Sequence, residues 1–88
     1  MAKHVVVTGR VQGVSFRAWT RQQAEARGVS GWVRNRVDGS VEAILAGPDA
    51  AVEALITALH EGPAAARVEA VQVTEAKAPS EIGFQIVN

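Results

Sequence analysis

Residues 3–28 have the sequence KHVVVTGRVQGVSFRAWTRQQAEARG, and within it the hydrophobic period changes from that of a strand to that of a helix. Lys3–Thr8 contains three consecutive valines and predicts a buried strand. Phe16–Arg27 has its apolar residues at helical spacing and predicts a helix. The segment between them is a loop, so this stretch predicts a strand, a tight loop and a helix that crosses over a sheet.

Glycines and one serine mark the ends of this loop and helix. Gly9 breaks the strand and opens the loop Gly9–Val14. Ser15 is predicted to be the N-cap of the helix, and Gly28 is predicted to stop it. The residues that fall on one face of the helix are Phe16, Trp19, Thr20, Gln23 and Ala24.

The rest of the chain repeats this alternation of strands and a helix. Asp38–Gly39 is a strong hairpin-turn signal between two strands, and Gly62–Pro63 ends a second helix. The order predicts an α+β fold, a ferredoxin-like α/β sandwich (βαββαβ) with a mostly antiparallel sheet, two helices on one face and a short extra strand. The further predicted elements are the strands Val29–Val37 and Ser40–Ala46, the helix Ala50–Glu61, and the strands Arg67–Lys77 and Ile82–Val87.

Alternation along the second strand separates its side chains into two sets. Asn35 is predicted near the end of this strand, beside the hairpin, on the face opposite to Arg34 and Arg36. The residues predicted to share its face are Val29, Gly31 and Val33.

The composition favours a single domain over residues 1–88, because 48% of the residues are hydrophobic and one core can form at this length. The chain has no cysteine, which excludes disulfides, thiolate metal ligands and cysteine nucleophiles and fits a reducing compartment. No apolar run approaches the ~20 residues that span a membrane. We therefore expect a cytoplasmic monomer with no membrane partner.

The charges are balanced overall but unevenly placed. Nine basic and nine acidic residues cancel, which argues against a nucleic-acid partner because such binders usually carry a basic excess. Seven of the basic residues lie within the first 36 positions, and the acids lie mostly later. This asymmetry favours an anion site built by the first half of the chain. The seven are Lys3, Arg10, Arg17, Arg21, Arg27, Arg34 and Arg36.

A loop bounded by glycines between a strand and a helix is a simple anion site. Free N–H groups and the helix dipole favour negative charge there, and Gly9 and Gly13 let successive amides converge. Judged from the glycines alone, the commoner case is that Gly9 and Gly13 are ordinary turn residues and Arg17 is a solvated surface charge. However, an arginine in the first helical turn opposes the dipole unless an anion compensates it, and its planar donors suit phosphate oxygens.

Two motifs together resemble the acylphosphatase family. They are GRVQGVSFR at residues 9–17 and GWVRNRVDGSVE at residues 31–42, and the likeness extends over essentially the whole chain. The resemblance implies the ferredoxin-like fold. It also implies hydrolysis of an acyl phosphate to a carboxylate and inorganic phosphate.

The resemblance implies a role for each matching residue. Arg17 is implied to be the essential phosphate-binding arginine, Asn35 to orient the attacking water, and Thr20 to support the site. Arg36 departs from those family members that carry threonine after the asparagine. The residues implied to bind the phosphoryl group through loop amides are Gly9, Arg10, Val11, Gln12, Gly13 and Val14.

Other functional classes have less support in the sequence. His4 and His60 are far apart, so no metal site and no cofactor are predicted. An RNA-recognition module needs exposed aromatics on its central strands, and the first and third strands contain none. The remaining alternatives are a non-catalytic ferredoxin-like binding module and the acylphosphatase-like domain of larger carbamoyl-transfer proteins used in hydrogenase maturation.

Overall fold

Five strands and two helices alternate along residues 1–88 in a computed structural model of the chain, which describes every residue. In chain order the elements are β1 (Ala2–Arg10), α1 (Phe16–Ala26), β2 (Ser30–Asn35), β3 (Val41–Ala46), α2 (Asp49–Glu61), β4 (Arg67–Glu75) and β5 (Phe84–Ile86).

All five strands form one sheet with the order β4-β1-β3-β2-β5. The pairs β1–β4, β1–β3 and β2–β3 are antiparallel, and only β2–β5 is parallel. Both helices pack on the same face, α1 over β2 and β5 and α2 over β4 and β1, and they touch each other. The α+β ferredoxin-like fold predicted from the sequence is confirmed.

Every strand differs from its predicted bounds at one end or both, and the differences in β1 and β2 bear on the site. Gly9 and Arg10 were expected in a loop, but they continue β1 and pair with Val68 and Arg67 of β4. The register shifts between Thr8 and Gly9, as at a β-bulge, and this irregularity allows the strand to continue past the glycine. The second strand is shorter than predicted, because β2 ends at Asn35 where the hairpin turn begins.

The core lies between the sheet and the two helices. The alternation predicted for β2 is confirmed, because Val33 is fully buried whereas its neighbour Arg34 is exposed. The helices contribute residues at helical spacing to the same core. The large side chains that are almost fully buried include Val5, Val7, Phe16, Val33, Leu45, Leu55 and Leu59. Neither helix, at 11 and 13 residues, is long enough to cross a membrane.

The outer face of the sheet carries one charged network centred on Glu42. Its two carboxylate oxygens each lie 2.6 Å from a nitrogen, one from Nε2 of His4 and the other from Nε of Arg34. The hydrogen bond with His4, followed by the hydrogen bond and charge of Arg34, holds the pKa of the Glu42 carboxyl below its ordinary value, against the opposite effect of partial burial. Arg34 also lies over the ring of Trp32, 5.4 Å from its centroid. The network therefore joins the three central strands on the side away from the helices.

Glu42→Gln should lower the free energy of unfolding at pH 7 by about 0.5–1 kcal/mol, because the network loses its only anion. A lowered pKa in the folded state stabilises the protein above the unfolded pKa, near 4.5, and this stabilisation is lost as the pH falls through the lower folded value. The difference between the variant and the wild type should therefore shrink below pH 4.5. Urea denaturation at pH 7, 5 and 3 measures it, with the exposed Glu69→Gln as control. A difference that stays constant down to pH 3 would contradict the assignment.

Candidate active site

The pairing of β3 with two neighbours brings the ends of β1 and β2 to one edge of the sheet. Both strands run antiparallel to β3, so they run parallel to each other and their carboxyl ends point the same way. Val41 of β3 pairs with Val7 on one side and with Asn35 on the other. Since neighbouring strands lie about 4.8 Å apart, Val7 and Asn35 are separated by only about 10 Å. The loop that follows β1 therefore lies beside Asn35.

This β1–α1 loop, residues 11–15, is anchored at one end and turned sharply at the other. The side chain of Val11 is fully buried in the core and so anchors the loop against the sheet. Gly13 and Ser15 have φ values of 73° and 61°, in the left-handed region. Left-handed residues in such a loop turn neighbouring N–H groups toward a common point, which makes a concave site for an anion.

The start of α1 adds further donors to this concave site. The first intrahelical hydrogen bond runs from the N–H of Trp19 to the carbonyl of Ser15 at 3.0 Å. The amides of Phe16, Arg17 and Ala18 precede it and have no intrahelical acceptor. These amides also stand at the positive end of the helix dipole, so they favour an anion.

The prediction that Ser15 is the N-cap of α1 is confirmed in position but not in chemistry. Ser15 occupies the N-cap position, but its side chain makes no capping hydrogen bond. An N-cap residue normally has an extended backbone, whereas Ser15 has φ 61° and ψ 26°. It is the one residue other than glycine with a positive φ, which is the kind of backbone strain that concentrates at functional sites.

A cavity of about 330 Å³ opens between the start of α1 and the end of β2. Arg17 is half-buried on its wall and takes part in none of the four ion pairs of the chain. A cation at a helix N-terminus is unfavourable unless an anion offsets it, so the cavity is electrostatically suited to a negatively charged ligand. Its lining residues are Val11, Gly13, Ser15, Phe16, Arg17, Ala18, Asn35 and Ile86.

Asn35, on the wall of this cavity, has a buried side-chain oxygen that lacks a hydrogen-bond partner. Its Oδ1 is buried, and it has no hydrogen-bond partner among the other groups of the protein. A buried carbonyl oxygen without a partner costs roughly 1–3 kcal/mol. This oxygen therefore keeps its full capacity to accept a hydrogen bond, and it belongs to a residue on the wall of the cavity.

The residues predicted for the site divide into two groups. Gly9 and Arg10 lie in β1, and Val14 packs against the core. The side chain of Gln12 bonds to the β2–β3 hairpin, so these four residues do not line the cavity. Thr20 is fully buried, and its hydroxyl donates to the carbonyl of Phe16 at 2.8 Å, one turn inside the helix. The predicted residues that line the cavity are Val11, Gly13, Arg17 and Asn35.

Sequence reasoning did not place Ser15, Phe16, Ala18 or Ile86 at the cavity. Ser15 had been interpreted as a cap and Phe16 as core, although each does have an atom at the wall. Ile86 comes from β5, which reaches the site because it pairs in parallel with β2. No local pattern near the C-terminus reveals that pairing, because it depends on a contact across some 50 residues of chain.

A second space, which we call the hairpin cavity, also has Asn35 on its wall. It has a volume of about 430 Å³ and is lined by Arg34, Asn35, Arg36, Val37, Asp38 and Asn88. Although it is larger, it lacks the helix amides and the guanidinium of Arg17. The smaller cavity therefore has the better chemistry for an anion.

Comparison with known proteins identifies relatives along nearly the whole chain. The acylphosphatase family model matches residues 3–86. An acylphosphatase of Rhodospirillum rubrum is 51% identical over 80 residues, which cover 91% of this chain and 88% of that protein. The crystal structure of acylphosphatase from Bacillus subtilis matches with a TM-score of 0.92 and 37% identity over 100% of both chains. Full-length HypF, in a phosphate- and nucleotide-bound form, matches with a TM-score of 0.87 and 26% identity, but over only 12% of its own length.

Ser15→Ala should change the free energy of unfolding by less than about 0.5 kcal/mol, although loss of a serine N-cap typically costs ~1 kcal/mol. The hydroxyl of Ser15 makes no capping bond, so its removal loses little. Ser40→Ala is the matched control, because the hydroxyl of Ser40 does donate to Asp38, at 2.6 Å. Urea denaturation of both variants should show the larger loss for Ser40→Ala. A clearly larger loss for Ser15→Ala would show that the hydroxyl does cap the helix in solution.

Proposed function

The chain belongs to the acylphosphatase family and is an acylphosphatase, and from this we propose a catalytic role for each residue of the site. The reaction cleaves the carboxyl–phosphate bond of an acyl phosphate and releases a carboxylate and inorganic phosphate. The observation that carries our assignment is the shared cavity. Arg17, which forms no ion pair, the start of α1 with its open amides, and Asn35, whose Oδ1 has no partner, all line this one small space.

Arg17 and the backbone amides hold the phosphoryl group. The fork of donors on a guanidinium matches two phosphate oxygens at once, and charge-assisted bonds of this kind are the strong ones. The amides of the β1–α1 loop and the first turn of α1 contact the remaining oxygens. The cavity thus supplies the positive charge that a phosphoryl dianion requires.

The leaving group explains why so few residues are sufficient. An acyl phosphate releases a carboxylate, whose conjugate acid has a pKa of roughly 4–5, like that of an Asp or Glu side chain. So stable a leaving group needs no general acid, and no histidine or carboxylate lines the cavity. The remaining tasks are to position the phosphoryl group, to neutralise its charge and to aim a water in line with the bond that breaks.

Asn35 is the residue we assign to the water. Its buried Oδ1 can accept a hydrogen bond from the attacking water. This bond orients a lone pair of the water oxygen toward phosphorus. In-line attack places the leaving acyl group opposite the water. The acyl chain therefore leaves on the side of the phosphorus away from Asn35.

We further propose that the chain works as a cytoplasmic monomer on a small acyl phosphate. Every residue of the site comes from one chain, so catalysis needs no second copy. The absence of cysteine fits a reducing compartment. Light scattering at the concentration used for kinetics tests the monomer, and activity that rises faster than in proportion to enzyme concentration would argue against it.

Arg17→Lys should lower kcat/KM for benzoyl phosphate by roughly 10²-fold, because lysine keeps the charge but loses the fork that binds two oxygens. Arg21→Lys is the matched control, since Arg21 lies one turn further along α1 and is exposed. Steady-state loss of benzoyl phosphate and circular dichroism should be measured on both variants. Comparable activity in the two variants would show that Arg17 does not clamp the phosphoryl group.

Asn35→Ala should lower kcat and kcat/KM together, by roughly 10²–10³-fold, with little change in KM. The reason is that Asn35 contacts the water, whose position matters only in the chemical step. Inhibition by inorganic phosphate should persist at wild-type strength, because Arg17 and the amides remain. Asn88→Ala, in the hairpin cavity, is the control. Normal kcat with weakened phosphate inhibition would instead make Asn35 a phosphate-binding residue.

A further inference from the structure

One side chain of the β1–α1 loop is bound to the hairpin rather than to the cavity. The amide nitrogen of Gln12, Nε2, donates to the carbonyl oxygens of Arg36 and Ser40, each at 2.8 Å. These contacts join positions 24 and 28 residues apart in sequence. An amide NH₂ has two hydrogens, so both donors of Gln12 are used.

The two carbonyls accept these bonds at the base of the hairpin that carries Asn35. Arg36 directly follows Asn35, and Ser40 directly precedes Val41, the residue that pairs with Asn35 across the ladder. The N–H of Arg36 also donates to the carbonyl of Ser40 at 2.8 Å, which closes the hairpin at this point. Gln12 therefore hydrogen-bonds the hairpin immediately beside Asn35, the residue proposed to orient the water.

The far side of the hairpin is held independently. The carboxylate of Asp38 accepts from the N–H of Ser40 at 3.0 Å and from its hydroxyl at 2.6 Å. These hydrogen bonds, with a contribution from the charge of Arg36, hold the pKa of Asp38 below its ordinary value. The turn thus has side-chain hydrogen bonds of its own at Ser40, the residue whose carbonyl accepts from Gln12.

The rest of the loop offers no equivalent contact. Val11 is buried and sets the depth of the loop in the core, while Gly13 has no side chain. Ser15 makes no side-chain hydrogen bond to α1. Gln12 is the one residue of the β1–α1 loop whose side chain hydrogen-bonds the β2–β3 hairpin.

We propose that Gln12 is a positioning residue, whose carboxamide holds the phosphate-binding β1–α1 loop at a fixed distance from Asn35 and thereby aligns the attacking water with the phosphorus. The inference rests on the proposed function, in which the loop holds the phosphoryl group and Asn35 the water. Displacement of a reacting group by ~1 Å can cost 10²-fold in rate, so a fixed spacing matters for kcat. The side chain of Gln12 touches neither reactant and acts through Asn35.

The chemistry of the contact requires an amide. Both partners are carbonyl oxygens, which accept only, so the atom that faces them must be the nitrogen of the carboxamide. An ionised glutamate would present acceptors to acceptors and push the loop away. A protonated glutamate carries one O–H donor and can remake one of the two bonds.

The test compares Gln12→Ala and Gln12→Glu with the wild type and with Gln72→Ala, an exposed glutamine on β4, as control. We expect Gln12→Ala to lower kcat by roughly 10–10²-fold while KM and the phosphate inhibition constant change by less than about twofold. Gln12→Glu should be similarly slow at pH 7, and its kcat relative to the wild type at the same pH should rise as the pH falls and the new carboxyl is protonated. Unchanged kcat in Gln12→Ala would overturn the proposal.

A double-mutant cycle separates positioning from simple stabilisation of the fold. If Gln12 acts through Asn35, adding Gln12→Ala to Asn35→Ala should reduce kcat by less than about twofold further. If the kcat of the double variant instead falls by the product of the two single-variant factors, the proposal is overturned. If Gln12→Ala is unfolded, the pH dependence of kcat in folded Gln12→Glu is the test. A ratio of this kcat to the wild-type kcat that does not change with pH refutes the role. Failure of the proposed function looks different, because Arg17→Lys and Asn35→Ala would then both retain normal turnover.

Discussion

The double pairing of β3 is the constraint on which the remaining structure depends. Because one strand is antiparallel to both β1 and β2, the carboxyl ends of these two strands coincide, and Val41 stands between Val7 and Asn35. The backbone ladder therefore sets the span of the site before any side chain contributes. The buried Val11 and the amide of Gln12 only refine a separation that the sheet has already determined.

Several locally unfavourable arrangements meet in the site cavity. Arg17 stands at the positive end of a helix, Ser15 has a left-handed backbone, and the Oδ1 of Asn35 is buried without a partner. Each of them costs free energy in the empty protein. An anion with an attached water would offset the first and the third together. Groups that lower stability are thus concentrated at the proposed site, as is common at the functional sites of enzymes.

Much of the fold could be predicted because its signals are local. The valine run, the Asp38–Gly39 turn and the helical spacing each lie within a few residues, and strand alternation alone placed Asn35 opposite to Arg34. What was missed depends on distant contacts. Gly9 continues β1 because β4 pairs with it, Ile86 reaches the cavity through β5, and the loop forces Ser15 out of the capping conformation. The double donation by Gln12 joins segments that no periodicity relates.

The position of β1 inside the sheet has a consequence for synthesis. It pairs on one side with β3 and on the other with β4, whose partner residues lie up to 72 positions away, as between Lys3 and Glu75. Contacts so distant in sequence close slowly, because much chain entropy is lost before they form. A chain that is still emerging from the ribosome has β1 but not yet β4. Although β1 is made before β3 and β4, it is therefore paired on both sides only after β4 has been translated.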